Sequence, residues 1–405
     1  MPVKIVIIGG GFGGLETALS LKNLLPVSAR ITLVDKNEFH SYMPSIHEII
    51  SGKILRKDVQ IPLSLVLGIS GVEFVHGKVI SLDLTSSRAV SSVQELDFDY
   101  LVLASGAENN FYGIPGAEEF SHRFRSPSDA ERIHARLDTL LDHVGEQQSV
   151  IIAGGGTEGI EVAGEVLDMI MERGLFPELV SGKISLEIIQ AQDDLLPGFP
   201  VKVQKFAREY LQSKGVKLTT GNRIAEVRQG AVILESGMVR NMSLLIWTGG
   251  IQPSTIVREL QLTKDPQGWL KVNDRLQSAD DDRIYGVGDS VSIYADEKPF
   301  PLSRLAYHAV DQGLIVSLNM SRRLTGRRQV NYAPKAKPQL VSIGKDMGIF
   351  VSKDRFLSGQ WVVLLKKVLQ TKHLMTHMTK PALSPLISRM SGAELWHLLR
   401  LRFPF

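Results

Sequence analysis

One glycine pattern occurs twice in this chain and limits what it can fold into. Gly9-x-Gly11-x-x-Gly14 follows the short apolar run Val3–Ile8 and precedes a helical stretch from Leu15 that Pro26 ends. About 145 residues later Gly154-x-Gly156-x-x-Gly159 follows Ser149–Ala153 and opens a second helical stretch, Ile160–Arg173. Each glycine answers a steric need. The first permits a tight turn, the second lets backbone approach a pyrophosphate, and the third lets helix and strand pack closely. The N-terminus of the following helix favours the phosphate charge. A pattern in full strand–turn–helix context predicts a βαβ dinucleotide-binding unit, and two copies predict two such units.

The strands that follow refine this reading. Ile31–Val34 closes with Asp35, a carboxylate placed to accept ribose hydroxyls. Ile184–Ile189 closes instead with Gln190, which removes the repulsion against a 2′-phosphate and leaves both NADH and NADPH open. Three further strand-and-turn segments carry small residues: Ala104-Ser105-Gly106, Trp247-Thr-Gly249-Gly250 and Gly286-Val-Gly288-Asp289. An acid at a strand end such as Asp289 suits flavin ribityl hydroxyls. Two dinucleotide sites therefore read most economically as a bound flavin and an exchanging nicotinamide.

Composition narrows the chemistry. The 405 residues hold no cysteine, which excludes disulfides, thiolate metal sites, iron–sulfur clusters and cysteine nucleophiles. The histidines form no HxH or HExxH spacing, so no metal site is expected. His40 and His47 read as structural. The charge is uneven: from Lys353 onward nine basic residues face two acids, in a chain of net charge +3. Gly359–Met378 and Ala393–Leu401 read as basic amphipathic helices, with Trp361, Trp396, Phe403 and Phe405 suited to a bilayer interface. No apolar run approaches the ~18 residues of a spanning helix, and no secretory signal is evident. A protein bound peripherally to the cytoplasmic side of the cell membrane follows, with no nucleic-acid partner.

The motif order GGGFGG…Asp35, Ala104-Ser-Gly106, GGGTEG-Ile-Glu161, Trp247-Thr-Gly-Gly250, GVGD289 resembles the pyridine nucleotide–disulfide reductase superfamily over about residues 3–320. Within it the chain is most similar to the type II, non-proton-pumping NADH:quinone oxidoreductases. The segments Asp35-Lys-Asn-Glu-Phe-His40, Leu195-Leu-Pro-Gly-Phe199, Ile251-Gln-Pro253 and Glu161-Val-Ala-Gly-Glu165 carry that similarity, as does the basic tail.

The resemblance implies FAD, NADH or NADPH as co-substrate, a membrane quinone as electron acceptor, and a homodimer. Flavin held by Gly9, Gly11, Phe12, Gly13, Gly14, Asp35, Lys36, Gly288 and Asp289 takes hydride without any thiol. Ala104, Ser105, Gly106, Gly249 and Gly250 complete the cofactor-binding turns. Gly154, Gly156, Thr157, Gly159, Glu161 and Gln190 fall on the nicotinamide site, and Glu165 on the flavin–quinone boundary, where a buried carboxyl relays a proton. On the quinone side, Ala306, Ala309, Gln312 and Gly313 match the family helix, while Tyr307 and Asp311 replace its glutamines. Tyr307 or His308 is the expected hydrogen-bond partner of a quinone carbonyl, and Lys366 of the Lys366-Lys367 pair falls near the quinone entrance.

The expected architecture is α/β, with two Rossmann-like domains and a C-terminal membrane-association domain. The FAD domain is discontinuous, residues 1–113 and 246–328. Residues 114–245 form the NAD(P)H domain and 329–405 the C-terminal one. Two other outputs remain compatible: a flavin reductase of a soluble electron carrier, and a nicotinamide-sensing flavoprotein.

Overall fold

The structure, a computed structural model, describes residues 2–143, 147–294, 302–335, 337–353 and 355–387. The predicted helix Ala393–Leu401 lies outside them, as do Trp396, Phe403 and Phe405.

The chain begins β1 (Lys4–Ile8), α1 (Phe12–Leu24), β2 (Arg30–Asp35), a 3-10 segment Met43–Ile49, β3 (Glu73–His76) and β4 (Tyr100–Leu103). It continues β5 (His122–Arg123), α2 (Pro127–Asp142), β6 (Gln148–Ala153), α3 (Thr157–Glu172), β7 (Ile184–Gln190), β8 (Lys217–Thr220) and β9 (Leu244–Trp247). Then come β10 (Ile284–Gly286), α4 (Ala306–Leu324), β11 (Gln339–Ile343), β12 (Met347–Ser352), β13 (Arg355–Ser358) and α5 (Gln360–Ile387).

Two five-stranded parallel sheets result. The first runs β10-β4-β1-β2-β3 and the second β5-β9-β6-β7-β8. Their central strands β1 and β6 are apolar on both faces, as burial under helices or loops on each side requires. In β1, Ile5 and Ile7 join one core while Val6 and Ile8 join the other. In β6, Val150 and Ile152 face one core, and Ile151 and Ala153 the second. The first sheet is completed late in sequence, because β10 pairs with β4 only after the whole second sheet has been laid down. The segments joining the halves pair with each other, Ala107–Asn109 antiparallel to Ile251–Pro253.

Helix α4 lies along α1 at close range. A Cβ at Gly313 would sit 2.7 Å from the Gly13 carbonyl oxygen. The Ser317 hydroxyl donates to the Thr17 carbonyl at 3.1 Å. The antiparallel sheet β11-β12-β13 packs on α3, where a Cβ at Gly164 would meet the Gly344 nitrogen at 2.1 Å. Helix α5 covers that sheet. It buries Val362, Val363, Lys366 and Gln370, and leaves Trp361, Leu364 and Val368 exposed. Among the described residues no helix is long and apolar enough to cross a membrane.

Candidate functional site

The two glycine loops are built alike. Gly9 and Gly154 both have strongly positive φ, +108° and +112°. Their amide groups donate to Val34 and Ile189 at 2.8 Å each. A Cβ at Gly14 would lie 1.8 Å from the Gly9 carbonyl oxygen, and one at Gly159 would lie 1.9 Å from that of Gly154. Gly13 and Gly249 are enclosed less tightly, by the side chains of Val287 and Trp247 at 2.8 and 3.2 Å from an added Cβ. Gly11 and Gly156 differ, since a Cβ at either would meet nothing within 4 Å. These two cap α1 and α3 with no side chain accepting from the first-turn amides. Open space in front of unsatisfied helix N–H groups fits a pyrophosphate at both loops.

The residues closing β2 and β7 also correspond. Asp35 Oδ2 accepts from the Gly10 amide at 2.5 Å, and Gln190 Oε1 accepts from the Gly155 amide at 2.9 Å. Gln190 thus performs the loop-holding part of the acid's work without its charge. The Lys36 carbonyl faces His76 Nε2 at 3.1 Å. Phe12 stands edge-on to His40, whose Nδ1 lies 2.9 Å from the Gly10 carbonyl.

Other turns close around the first loop. The Gly106 amide donates to Ser290 Oγ at 2.9 Å, and the Ser105 and Ser254 hydroxyls lie 2.6 Å apart. A Cβ at Gly9 would strike the Ala104 carbonyl at 2.2 Å. Thr248 bonds the Ala153 carbonyl, and Tyr112 fills the space beside Gly250. Thr157 is the first residue of α3.

Asp289 and Gln312 define the floor where α4 begins. Gln312 Oε1 accepts from the Gly288 amide at 2.6 Å. A narrow crevice lies here, lined by Gly288, Asp289, Arg304, Leu305, His308 and Gln312. Arg125 reaches across, donating to Asp289 Oδ2 at 2.8 Å and to Glu158 Oε1 at 3.3 Å. No motif pointed to Arg125.

His308 is buried, with Tyr332 Oη 3.2 Å from its Nδ1. Tyr307 stands beside it, with Lys337 Nζ 4.7 Å from the phenol centroid. Lys337 is anchored to Asp311 at 2.6 Å.

Beyond its first turn, α3 enters a buried polar network. Lys366 pairs with Glu161 and donates to Ser342 Oγ at 2.9 Å. The Ser342 amide donates to Glu161 at 3.2 Å. His47, read from sequence as structural, lies 2.9 Å from Ser342 Oγ and 3.7 Å from Glu161. Burial, with Lys366 and Lys53 nearby, holds its imidazole well below the usual range and neutral. One turn further along α3, Glu165 accepts from the Ser51 hydroxyl and from Lys53 at 2.9 Å, and Lys53 also bonds Asp168. A pocket of about 160 Å³ opens here, bounded by Glu48, Glu165, Ser342, Lys345, Lys366 and Lys367. Ser342 and Lys53 carried no sequence signal, because each gains its role only through distant partners.

Glu165 is 1% exposed, and burial pushes its carboxyl up to about 7 against the pull of Lys53 and Ser51. An acid held this high binds its proton more tightly folded than unfolded. Its penalty to stability sets in as pH rises past the ordinary 4.5 and is complete above about 7. Glu165→Gln removes that titration. The urea midpoint of the variant should therefore fall less than the parent's between about pH 5 and about pH 8, by an amount worth roughly 3 kcal/mol. Parallel profiles would show that Glu165 does not titrate in this window.

Two matched glycine loops of this kind define a two-dinucleotide oxidoreductase fold. The chain belongs to the pyridine nucleotide-disulphide oxidoreductase family, whose family model matches residues 3–313. FAD and NADH are typical of that family. Among curated relatives, a type II NADH:quinone oxidoreductase of Staphylococcus epidermidis is 26% identical over 381 residues, covering 91% of this chain and 94% of that protein. One from Staphylococcus aureus is 24% identical over 380 residues, with the same coverage. Among solved structures, the sulfide:quinone oxidoreductase of Aquifex aeolicus superposes with TM-score 0.81 at 20% identity, covering 93% of this chain and 92% of its own. NDH2 from Plasmodium falciparum in complex with NADH gives 0.80 at 17% identity, covering 94% of this chain and 98% of its own.

Proposed function

We propose that this protein is an FAD-dependent NAD(P)H:quinone oxidoreductase that pumps no protons: NAD(P)H, a proton and a quinone become NAD(P)+ and quinol. The observation that carries the reading is the pair of matched glycine loops in a chain without cysteine. Sulfide:quinone chemistry needs thiols, so the likeness to the Aquifex aeolicus enzyme is one of fold.

FAD, when bound, accepts hydride and gives up two electrons. The chain's residues hold and orient the two dinucleotides. Gly9–Gly14 and the α1 amides take the FAD pyrophosphate, Asp35 its ribose, and Asp289 the ribityl chain. Gly154–Gly159 and Gln190 take the nicotinamide nucleotide. Catalysis is chiefly positioning, so no side chain acts as nucleophile. On the acceptor side, Tyr307, His308 and Gln312 lie at the start of α4, and Lys366 beside the polar network. Glu165, with its carboxyl near 7, is suited to hold a proton close to neutral pH.

The exposed Trp361, Leu364 and Val368, with Lys367 and Lys372, support docking of α5 on the cytoplasmic membrane surface. The domain boundaries at residues 113, 245 and 328 and a homodimer belong to the same proposal.

The test mixes purified protein anaerobically with NADH or NADPH, follows the visible flavin band, then adds a short-chain quinone. Rapid bleaching followed by recovery supports the reading. Bleaching without recovery moves the acceptor to a soluble protein carrier or the output to nicotinamide sensing. No bleaching with either donor removes the hydride step.

Gln190→Glu keeps an acceptor for the Gly155 amide and adds a charge beside the ribose. The variant should retain NADH and lose NADPH as donor in the same assay. Unchanged NADPH rates would take Gln190 out of donor choice.

A further inference from the structure

We propose that Arg125 is the residue that lets the second glycine loop accept a pyrophosphate, by offsetting the Glu158 carboxylate at the mouth of α3. The inference rests on the reading that this loop takes NAD(P)H, and adds to it a binding residue that no motif marks.

The loop itself carries no positive side chain. Its residues are Gly154, Gly155, Gly156, Thr157, Glu158 and Gly159, so its one charge is negative. Glu158 is in the first turn of α3, where the free helix amides favour an anion. A pyrophosphate brings two more negative charges to that turn. Like charges at such range oppose binding unless a cation stands between them.

Arg125 is that cation. Its Nη1 reaches Glu158 at 3.3 Å and its Nη2 reaches Asp289 at 2.8 Å. It is held in place from behind, since its amide donates to Asp129 Oδ2 and Ser126 caps α2 next to it. Burial works against its charge, but Glu158 and Asp289 outweigh that and keep the guanidinium protonated. Burial also raises the Glu158 carboxyl, Arg125 opposes the rise, and Glu161 and Asp289 add to it. A guanidinium has five donors in a fixed fork, so two carboxylate contacts leave N–H groups for phosphate oxygens.

The contrast with the first loop supports this. There the residues after Gly11 are Phe12 and Gly13, uncharged, so that loop has no acid of its own for a cation to offset. The offset of an acid within the loop is thus needed at the second loop alone, while the same guanidinium also holds Asp289.

The test measures binding of NAD+ and ADP-ribose, which contain the pyrophosphate, and of adenosine, which does not. Flavin-loaded protein is used, with calorimetry or competition as readout. Arg125→Met should weaken NAD+ and ADP-ribose ~30-fold and leave adenosine unchanged. Glu158→Gln alone should tighten NAD+ ~3-fold, an arm that stands even where Arg125→Met folds poorly. The double variant should return to within ~3-fold of the parent. Equal weakening of adenosine and NAD+, an unchanged NAD+ affinity in Arg125→Met, or no recovery in the double variant would each overturn the proposal. A parent protein that binds flavin but neither NAD+ nor NADP+ overturns the nicotinamide reading instead.

Discussion

Gly159→Ala should abolish nicotinamide-nucleotide binding while the purified protein keeps its flavin, and Gly14→Ala should do the reverse. The cause is local and steric. The new methyl would sit 1.9 Å from the Gly154 carbonyl in one loop and 1.8 Å from the Gly9 carbonyl in the other. Both obstacles are backbone, so no rotamer change relieves them, and α3 or α1 must move away from its strand. That shift moves the amide groups that face the phosphate. A loss of at least ~100-fold in affinity, about 3 kcal/mol, is expected at the altered loop. Flavin content by absorbance and NAD+ affinity by calorimetry separate the two sites. If either variant loses both ligands together, the loops are not independent and the assignment of one to each dinucleotide fails.

The second large effect concerns stability. Lys366→Met should lower the unfolding free energy by about 3 kcal/mol, because it strands Glu161 in a buried setting. The two side chains are 9% and 13% exposed, so water offers little relief. Burial, the largest cause of His47 staying neutral, persists in the variant and opposes a transfer of the charge to its imidazole. Ser342 supplies one amide and one hydroxyl, which reduce the penalty without cancelling it. Adding Glu161→Gln to Lys366→Met should recover most of the loss, and a double-mutant cycle in urea reads the coupling directly. Additive single effects would mean that the pair contributes nothing as a pair. The same cycle, read by limited proteolysis after residue 359, reports whether α5 has left its seat.

Both predictions arise from parts of the molecule that differed in how readable they were. The loops were legible because their causes are local. Glycines at fixed spacing, an apolar strand before and a helix after lie within about thirty residues of one another. Asp35 and Gln190 were legible for the same reason, each closing the next strand. Arg125 was not, because its contact with Asp289 joins positions 164 apart and nothing nearby marks it. Glu161 was assigned to the nucleotide by resemblance, but a sequence could not show that Lys366, 205 positions on, lies against it. Glu165 was singled out conditionally, on burial raising its carboxyl; only packing supplies that burial. His47 looked like one more core histidine until Ser342 and Glu161 were found beside it. The tail helix to residue 376 was readable from its apolar and basic spacing, whereas its buried face, with Lys366 turned inward, was set by the sheet beneath.

The late pairing of β10 has a consequence for how the molecule comes off the ribosome. Every strand of the second sheet lies between residues 122 and 247, so that half holds all its strands once the chain has emerged to the end of β9. The first sheet does not. Its edge strand at Ile284–Gly286 and the helix that covers α1 are still to be translated, and the apolar flank of α1 is uncovered meanwhile. The half that begins first is therefore finished last. Asp289, which the proposal gives to the flavin, is translated after every strand of the second sheet, so a nascent chain stalled before residue 284 already holds its second glycine loop and still lacks that acid.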